Sequence, residues 1–324
     1  MKRIFLLLIT AIAFGASAMA QDSRVATLQH GSNFRTYYGT DAFISAHADA
    51  ADGDVITLTA GEFNCPPITI ALTIRGEGMR KTIISFNNNT NITIPKDSPY
   101  SLCFEGLKAY AGHGLSIRNN AGSETVVFSR CAIENTYYMF FKNCNAVVLN
   151  SYCNFHSTDK GMVIEENSSV TCVNSVLPRL TGCTFDVNNC VITDVANVTN
   201  SIIKNSIIYG VSTLDNTNTT SHCLVKYGSS GFDNSWYVKT EPDVNPDPWG
   251  EDPETPTLWA DLFGENYHLT EAAAATYVGT DGTEVGIYGG AYPYDETPDY
   301  PLVKNLEVKG IQEDGKLTVK INVK

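Results

Sequence analysis

Residues 126–131 read VVFSRC, and residues 147–153 read VVLNSYC. The same pattern recurs at 173–177 (VNSVL), 187–192 (VNNCVI) and 203–208 (IKNSII). Each run is an apolar burst, a small polar pair rich in Asn and Ser, and a second apolar burst. The interval between runs varies from 14 to 24 residues. An irregular repeat of about 20 residues, made only of strand and turn signals, predicts an all-β solenoid.

The residue types in these runs suit stacked turns. Each turn of a β-solenoid hydrogen-bonds to its neighbours at about 4.8 Å, so inward side chains stack on one another. Val and Ile pack well there, and Asn tolerates the left-handed bend between strands. Cysteine is small and readily buried. We therefore interpret four cysteines as one interior column of mostly free thiols: Cys131, Cys153, Cys172 and Cys190. The chain has nine cysteines, and because this number is odd, at least one of them stays unpaired in a monomer.

The segments around the repeat differ in texture. Residues 40–51 predict a short helix, and short β-rich bursts begin at Val55. Residues 211–260 are rich in proline and acidic residues, which predicts a loop excursion. Residues 301–324 end in strict alternation of apolar and polar side chains, which predicts a β-hairpin. The predicted organisation is a β-helix domain over 21–300 and a C-terminal hairpin over 301–324.

The first twenty residues have the pattern of a signal peptide. Lys2 and Arg3 precede an apolar run too short to span a bilayer, and a small-residue cleavage site ends at Ala20. We expect cleavage after Ala20, a periplasmic or secreted protein, and no membrane insertion of the mature chain. Removal of residues 1–20 leaves 20 basic and 35 acidic residues, a net charge of −15. Such a charge repels nucleic acid, so we expect no nucleic-acid partner.

The first turns resemble a known family. Residues 42–44, 50–58, 61–63 and 72–78 resemble the opening of pectate-lyase-like right-handed parallel β-helix proteins, in which a short helix caps the open end. Residues 267–270, 279–282 and 285–290 resemble the closing turns of that family. The resemblance implies a right-handed parallel β-helix with an N-terminal cap helix. It does not imply one activity, because the fold hosts lyases, hydrolases, adhesins and structural proteins.

Enzymes of this group need sets of acidic and basic side chains close to one substrate bond, and the sequence shows no complete set. Residues 112–114 (GHG) resemble a polygalacturonase segment, but the partner aspartates are missing, so we interpret them as a turn entering a strand. The best remaining pairs assume that Cys131 stacks on Cys153. Glu134 would then stack on His156, and Glu165 would neighbour Asp186. Catalytic residues therefore stay unknown, and a non-enzymatic function is favoured.

A second pattern bears on metal binding. Asp243, Asn245, Asp247 and Glu254 occupy positions 1, 3, 5 and 12 of an EF-hand-like loop. Pro248 stands where such a loop needs a glycine for its sharp turn. We therefore expect neither a metal site nor a cofactor.

The aromatic residues give the leading functional hypothesis. All three tryptophans fall in one stretch, as Trp236, Trp249 and Trp259, with Tyr237 beside the first. Exposed aromatic rings stack on the apolar faces of sugars, although packing under the excursion is an alternative. The sequence predicts a non-catalytic protein that binds a polysaccharide or other glycan through these four residues. Two alternatives stay open: a polysaccharide lyase or glycoside hydrolase of the pectate-lyase-like group, and a structural or adhesive surface protein.

Overall fold

The protein is an all-β parallel solenoid of about eight turns. The computed structural model describes residues 24–86, 90–94, 98–119, 125–155, 161–165, 167–227, 231–237, 267, 269, 271–300, 303–309 and 318–323. The predicted all-β parallel solenoid is confirmed in these ranges, whereas the cap helix and the C-terminal hairpin stay predictions. The signal peptide predicted over 1–20 lies outside the described residues. No helix among the described residues is long and apolar enough to cross a membrane.

Short strands make up most of the chain, and two short helices accompany them. The N-terminal part contains β1 (Val25–His30), β2 (Asn33–Tyr38), α1 (Ala42–Ala48), β3 (Val55–Leu58), β4 (Gly61–Asn64), β5 (Thr73–Arg75), β6 (Thr82–Phe86), β7 (Thr90–Ile94), β8 (Leu102–Glu105), β9 (Lys108–Ala111) and β10 (Gly114–Asn119). The central turns contain β11 (Thr125–Ser129), β12 (Ala132–Thr136), β13 (Tyr138–Lys142), β14 (Asn145–Leu149), β15 (Tyr152–Phe155), β16 (Gly161–Ile164), β17 (Ser169–Val173), β18 (Val176–Leu177), β19 (Leu180–Cys183), β20 (Phe185–Asn188) and β21 (Val191–Thr199). The last part contains β22 (Ile202–Lys204), β23 (Ile207–Leu214), β24 (Thr219–Ser221), β25 (Leu224–Tyr227), β26 (Trp236–Tyr237), α2 (Glu271–Thr276), β27 (Val303–Lys309) and β28 (Thr318–Val323).

Three parallel faces run along the solenoid. The first face has the order β3-β5-β8-β11-β14-β17-β20-β22-β24. The second face runs from β4 through β6, β9, β12, β15, β18, β21, β23 and β25 to β26, and the third has the order β7-β10-β13-β16-β19-β21. The long strand β21 belongs to the second face at its start and to the third face at its end. Each central turn therefore supplies one strand to each of the three faces.

The register of the first face shows why the apolar bursts recur. Val127 pairs with Val147, and Val147 pairs with Thr171, so these two turns take 20 and 24 residues. The alternate residue, Val148, points inward and is fully buried between Phe128 and Cys172. Inward residues stack on one another, since side chains alternate between the two faces of a strand. The interior is consequently one continuous apolar core along the whole solenoid.

The polar pairs of the repeat form the corner between the first and second faces. The first residue of each pair has a left-handed backbone, as in Arg130, Asn150, Asn174, Asn189, Asn205 and His222. The second residue is small and buried, as in Cys131, Ser151, Ser175, Cys190, Ser206 and Cys223. The backbone N–H of Cys131 donates to Ser151 Oγ at 3.1 Å, and that of Ser151 donates to Ser175 Oγ at 3.1 Å. Asparagine is favoured at the bend because it adopts positive φ readily, and the buried hydroxyl accepts a hydrogen bond from the backbone N–H of the preceding turn.

The predicted cysteine burial is confirmed, but the single column is wrong. Cys131, Cys153, Cys172 and Cys190 are all buried, and all are free thiols. Cys131 and Cys190 occupy the corner described above, whereas Cys153 pairs with Ile133 on the second face and Cys172 with Val148 on the first. The serines of the intervening turns fill the corner positions that sequence spacing assigned to cysteine. Serine and cysteine have similar size, so the corner accepts either.

Two further N-terminal strands extend the first face. Strand β1 pairs antiparallel with β3, and β2 pairs antiparallel with β1. Helix α1 lies within the range predicted for a helix, and its Phe43 and Ala46 are buried in the main core. Its function as a cap stays a prediction. The hairpin of β1 and β2 was not foreseen from the sequence.

Residues 271–300, with Tyr267 and Leu269, form a segment that we call the C-terminal strap. Its apolar residues cover outward residues of the second face, including Ala132, Tyr152, Val176, Val191, Ile207 and Leu224. Asn174 Nδ2 donates to the carbonyls of Ile287 and Gly289, at 2.8 Å each, and Arg80 pairs with Glu296 at 3.1 Å. The strap therefore runs back along the solenoid. The interpretation of residues 279–290 as closing turns is wrong, because they line the side of the solenoid and contain no strand that extends a face.

The last turns extend further than the sequence suggested. Strands β24, β25 and β26 continue the first and second faces through Tyr237, inside the range assigned to the acidic excursion. Residues 238–266 lie outside the described part of the chain. Near the C terminus, β27 and β28 pair antiparallel, with Leu306 opposite Ile321.

Candidate functional site

Two of the four predicted sugar-binding aromatics lie at the end of the solenoid. Trp236 is half-buried, and its ring packs edge-on against Tyr277 at 5.3 Å and His222 at 5.8 Å between centroids. Tyr237 packs against the main core, and its hydroxyl oxygen accepts a hydrogen bond of 2.8 Å from the backbone N–H of Phe232. These contacts tie both rings to the strap and the last turn.

The other excursion residues lie outside the described residues. This applies to Trp249 and Trp259, and to the EF-hand-like set Asp243, Asn245, Asp247 and Glu254. Their roles stay predictions. Among the described residues, no group of three or more His, Cys, Asp or Glu side chains has the arrangement of a metal site.

The GHG segment has the conformation of a turn that enters a strand. Gly112 and His113 precede β10, which begins at Gly114. The exposed ring of His113 stacks on Tyr137, with centroids 5.7 Å apart and an interplanar angle of 18°. The ring of Tyr138 lies directly over Gly114, where a Cβ atom would collide with it. The close packing of Tyr138 therefore explains why a glycine occupies position 114, and this explanation does not require a catalytic role.

The two predicted acid–base pairs do not form as proposed. Glu134 pairs in register with Asn154, because Ile133 rather than Cys131 aligns with Cys153. His156 lies outside the described residues. Glu134 instead forms an ion pair with Lys108, with Nζ and Oε2 2.7 Å apart.

The second pair is separated by a corner of the solenoid. Asp186 is on the first face, where it pairs with Thr171 and Ile202. Glu165 follows β16 on the third face and pairs with Lys142, with Nζ and Oε2 2.7 Å apart. The expected neighbourhood of Glu165 and Asp186 is therefore wrong. The reason is the same as for the cysteines: turn lengths differ locally, so a spacing of 21 residues does not correspond to one turn here.

A concave surface among the described residues lies where the third face bends towards the first. Its volume is about 700 Å³. The surface, which we call the third-face site, is lined by Lys142, Asn143, Ile164, Glu165, Asn167, Gly182, Cys183, Asn197 and Thr199. Side-chain amides, a hydroxyl, a carboxylate and an ammonium group thus converge on one opening. This combination supplies both hydrogen-bond donors and acceptors to a polar ligand.

The asparagines of this site are placed by the turns. Asn143, Asn167 and Asn197 have positive φ values of 50°, 59° and 54°. Asn143 and Asn167 lie at the corner between the third and first faces, and Asn197 lies at an irregularity within β21. At a corner the chain must bend, and asparagine adopts that conformation with less strain than most residues. Asn167 Nδ2 donates to Asn143 Oδ1 at 3.4 Å, which links the amides of neighbouring turns. The same residues that make the bend therefore present amides along the edge of the solenoid.

Strand β13 connects this site to an aromatic surface. Tyr138, Phe140 and Lys142 alternate with the buried Met139 and Phe141, so the first three point outward. The rings of Tyr138 and Phe140 meet edge-to-face with centroids 4.8 Å apart. Alternate residues of a strand are about 7 Å apart, so this row leads from the two rings to the ammonium group of Lys142. The sequence offers Tyr138 and Phe140, with Tyr137 and Phe141, as a second aromatic platform, and favours their packing around a turn; of these, Phe141 is buried.

The charges of the site are nearly balanced. Lys142 and Glu165 neutralise each other, and Arg118, which pairs in register with Lys142, is exposed. The surrounding chain carries a net charge of −13. Glu165 is the one carboxylate among the described residues that line the site.

Sequence reasoning missed this site because its residues look like ordinary turn residues. One signal was present: Asn143 and Asn167 each stand at a bend of the repeat, close in sequence to Lys142 and Glu165. Alignment of the third face would have brought them together, but the sequence repeat was clear only for the first two faces.

Comparison of the chain with known families, with curated proteins and with solved structures gives no match. The parallel β-solenoid is shown by the structure itself. A relationship to pectate-lyase-like proteins stays a prediction.

Proposed function

We propose that this chain is an exported, non-catalytic β-solenoid protein that binds a polysaccharide or other glycan at the third-face site. The observation that carries the proposal is the joint presence of a polar concavity and an aromatic row on one face. Carbohydrate ligands present hydroxyl groups and apolar ring faces at the same time. Amides and carboxylates bind the hydroxyl groups, and flat aromatic rings cover the apolar faces.

The dimensions of the site support this proposal. Small-ligand sites commonly enclose about 300–1,000 Å³, and the third-face site has about 700 Å³. The row from Tyr138 through Phe140 to Lys142 extends the contact surface along β13. An oligosaccharide would place one sugar over the rings and the next among the amides.

Export is part of the same proposal. The pattern of residues 1–20 supports a signal peptide that is cleaved after Ala20, and a glycan partner is reached in the periplasm or outside the cell. N-terminal sequencing of the protein recovered from the producing cells tests this part. A mature N terminus at Gln21 supports it, whereas an intact Met1 in the cytoplasm contradicts it.

The stretch from Trp236 to Trp259 is the competing location for the sugar. The contacts of Trp236 with Tyr277 and His222 favour a packing role for this ring. We therefore expect Trp236→Ala to lower the thermal stability of the protein and to change its glycan affinity little. If a sugar stacks on Trp236, affinity should instead fall about tenfold, which corresponds to the 1–2 kcal/mol of an aromatic anchor.

The enzymatic alternative has one supporting observation. Lys108 and Glu134 form a half-buried ion pair on the second face, and Tyr110 pairs in register with Glu134. An ammonium group, a carboxylate and a phenol are groups that acid–base chemistry uses. Release of shortened or unsaturated sugars, lost in Glu134→Gln, would support a lyase or hydrolase over a binding protein. The structural or adhesive alternative would be supported by binding to a protein partner and to no glycan.

The decisive experiment uses the mature chain, residues 21–324. A glycan array identifies a ligand, and titration calorimetry measures its affinity for the wild type, Asn167→Gly and Asn150→Gly. Glycine keeps the left-handed bend while removing the amide, so folding is little affected. Asn150 has the same left-handed backbone at the opposite corner, which makes it the matched control.

The proposal predicts about a tenfold loss of affinity for Asn167→Gly, the equivalent of one hydrogen-bonding group, and little change for Asn150→Gly. Equal affinities in all three proteins would contradict binding at the third-face site. Binding without released products would separate this function from the enzymatic alternative.

A further inference from the structure

Strand β2 is an exposed edge of the first face. It pairs with β1 on one side, and no described strand pairs with its other side. Two large aromatic side chains are strongly exposed on it: Phe34 at 64% and Tyr38 at 60%. Such an edge offers unpaired backbone groups to another strand.

The hydrogen-bond pattern identifies which backbone groups are available. The N–H of Gly39 donates to the carbonyl of Arg24 at 3.0 Å, directly beyond the pair Val25 and Tyr38. Hydrogen-bonded and non-hydrogen-bonded pairs alternate in an antiparallel ladder. It follows that Tyr37 and Arg35 direct their backbone groups towards β1. The residues that direct N–H and C=O towards the free edge are Phe34, Thr36 and Tyr38.

This edge lacks the features that usually prevent strand addition. It has no proline and no lysine, and its one charged residue is Arg35. Arg35 Nη1 lies 2.9 Å from Asp49 Oδ2, and the hydroxyl of Tyr37 donates to the same oxygen at 2.7 Å. The charge is thus held next to the end of α1, and the opposite side of the strand carries the two exposed aromatic residues.

We propose that β2 pairs antiparallel with β2 of a second copy of this chain, about a two-fold axis that passes through Thr36. In this register Thr36 lies opposite itself, and Phe34 lies opposite the partner's Tyr38 on both sides of the axis. All three edge residues then form hydrogen-bonded pairs, which gives six new backbone hydrogen bonds. Two aromatic cross-strand pairs form as well, and such pairs stabilise antiparallel sheets.

The arrangement of charges favours a second copy in this register. Arg35 lies opposite the partner's Tyr37, so the two guanidinium groups do not face each other. An axis through Arg35 would place like charges directly opposite, which is destabilising. A two-fold contact requires that each strand complement itself, and the sequence NFRTYY meets that condition around its threonine. The first faces of the two copies would then continue as one sheet.

The net charge adds a second expectation. Each mature chain, without residues 1–20, carries 20 basic and 35 acidic residues and thus a formal charge of −15, so the two copies repel each other at low ionic strength. Salt screens this repulsion, and the screening length falls from about 30 Å at 0.01 M to about 10 Å at 0.1 M. The dimer should therefore become more stable as the salt concentration rises over this range.

The test measures the mass of the mature chain by sedimentation over a range of concentrations. The variants are Thr36→Pro and Thr36→Val. Proline removes an N–H that faces the free edge, so pairing with β1 is retained, whereas valine keeps the N–H and the strand. We expect twice the chain mass for the wild type and Thr36→Val, and the mass of one chain for Thr36→Pro. A monomeric wild type at all concentrations overturns the proposal, as does a Thr36→Pro protein that stays dimeric.

Cross-linking provides an independent readout if Thr36→Pro fails to fold. Opposed residues of a hydrogen-bonded pair lie about 5.5 Å apart at Cα, within the range of a disulfide. We expect Thr36→Cys to give a covalent dimer on oxidation. Thr57→Cys, on an exposed residue of β3 away from the edge, is the control and should give only the wild-type background. Equal yields in the two variants overturn the proposal, and so does a monomer whose β2 binds a heterologous strand peptide instead.

Discussion

Lys142 Nζ lies 2.7 Å from Glu165 Oε2, and this ion pair joins two adjacent turns of the third face beside the concave site. The side chains are 50% and 40% exposed. Exposed ion pairs contribute at most about 1 kcal/mol to stability, because water screens them. The pair is therefore better suited to positioning a carboxylate for a ligand than to holding the fold together.

The first prediction concerns this carboxylate. Glu165→Gln should change the unfolding free energy by less than about 1 kcal/mol and should weaken glycan binding about tenfold, since an ionised acceptor makes stronger hydrogen bonds than a neutral one. Calorimetric titration and thermal unfolding measure the two effects. Glu134→Gln is the control, because Glu134 has an ion pair of the same length on the second face. The prediction fails if the two variants lose affinity equally.

The second prediction tests the register of the solenoid. Val148 is fully buried, whereas its neighbour Val147 points outward and is half-buried. Val148→Asp should lower the unfolding free energy by about 3 kcal/mol or more, because an unpaired charge enters the core. Val147→Asp, the control, should cost much less. Similar denaturation midpoints for the two variants would show that the inward register is wrong.

The third prediction compares two buried thiols. Cys131 occupies the corner position that Ser151 and Ser175 occupy in the next turns, so Cys131→Ser should change the unfolding free energy by no more than about 1 kcal/mol. Cys172 lies between Val148 and Val187. Cys172→Ser should lower the unfolding free energy by about 1–3 kcal/mol, because a hydroxyl buried there lacks the hydrogen bonds that the corner provides. Denaturant titration measures both. A larger loss for Cys131→Ser would contradict the corner assignment.

Some features of the molecule could be predicted from its residues, and others could not. The solenoid and the burial of its cysteines followed from the residues, because branched apolar bursts recur at every turn. The register between neighbouring turns could not be predicted, because Ser151 and Cys131 are interchangeable at the corner and turn lengths differ. The outward apolar residue Tyr152 gave no sign that it is covered by the strap, whose Ile287 lies far along the chain. The third-face site was missed because Asn167, which lines it, has the sequence pattern of an ordinary bend residue.

The fourth prediction concerns alkaline pH. Burial raises the pKa of the Cys131 thiol from about 9 to about 12, and it raises the pKa of Cys190 and Cys223 to about 12 as well. Between pH 9 and 12 the folded state keeps these protons while the unfolded state releases them. Stability is therefore fully present below pH 9 and falls as the pH rises towards 12, by up to about 1.4 kcal/mol per pH unit for each thiol.

Denaturant titrations under reducing conditions at pH 8, 9, 10 and 11 measure this slope. Other groups also titrate in this range, so the control is Cys131→Ser, which lacks one of the shifted thiols. The unfolding free energy of Cys131→Ser should fall less steeply with pH than that of the wild type, by up to about 1.4 kcal/mol per pH unit. Identical slopes for the two proteins would contradict the effect of burial on the Cys131 pKa.

The most direct test of glycan binding at the third-face site uses the thiol that lines it. Cys183 is half-buried within the site, and Cys103 is half-buried on the first face, away from it. The measurement is the rate at which a thiol reagent modifies each cysteine of the mature native protein, followed by mass spectrometry, with and without a saturating glycan ligand. We expect the ligand to slow modification of Cys183 at least severalfold and to leave the rate at Cys103 unchanged. An unchanged rate at Cys183 under saturation would contradict glycan binding at the third-face site.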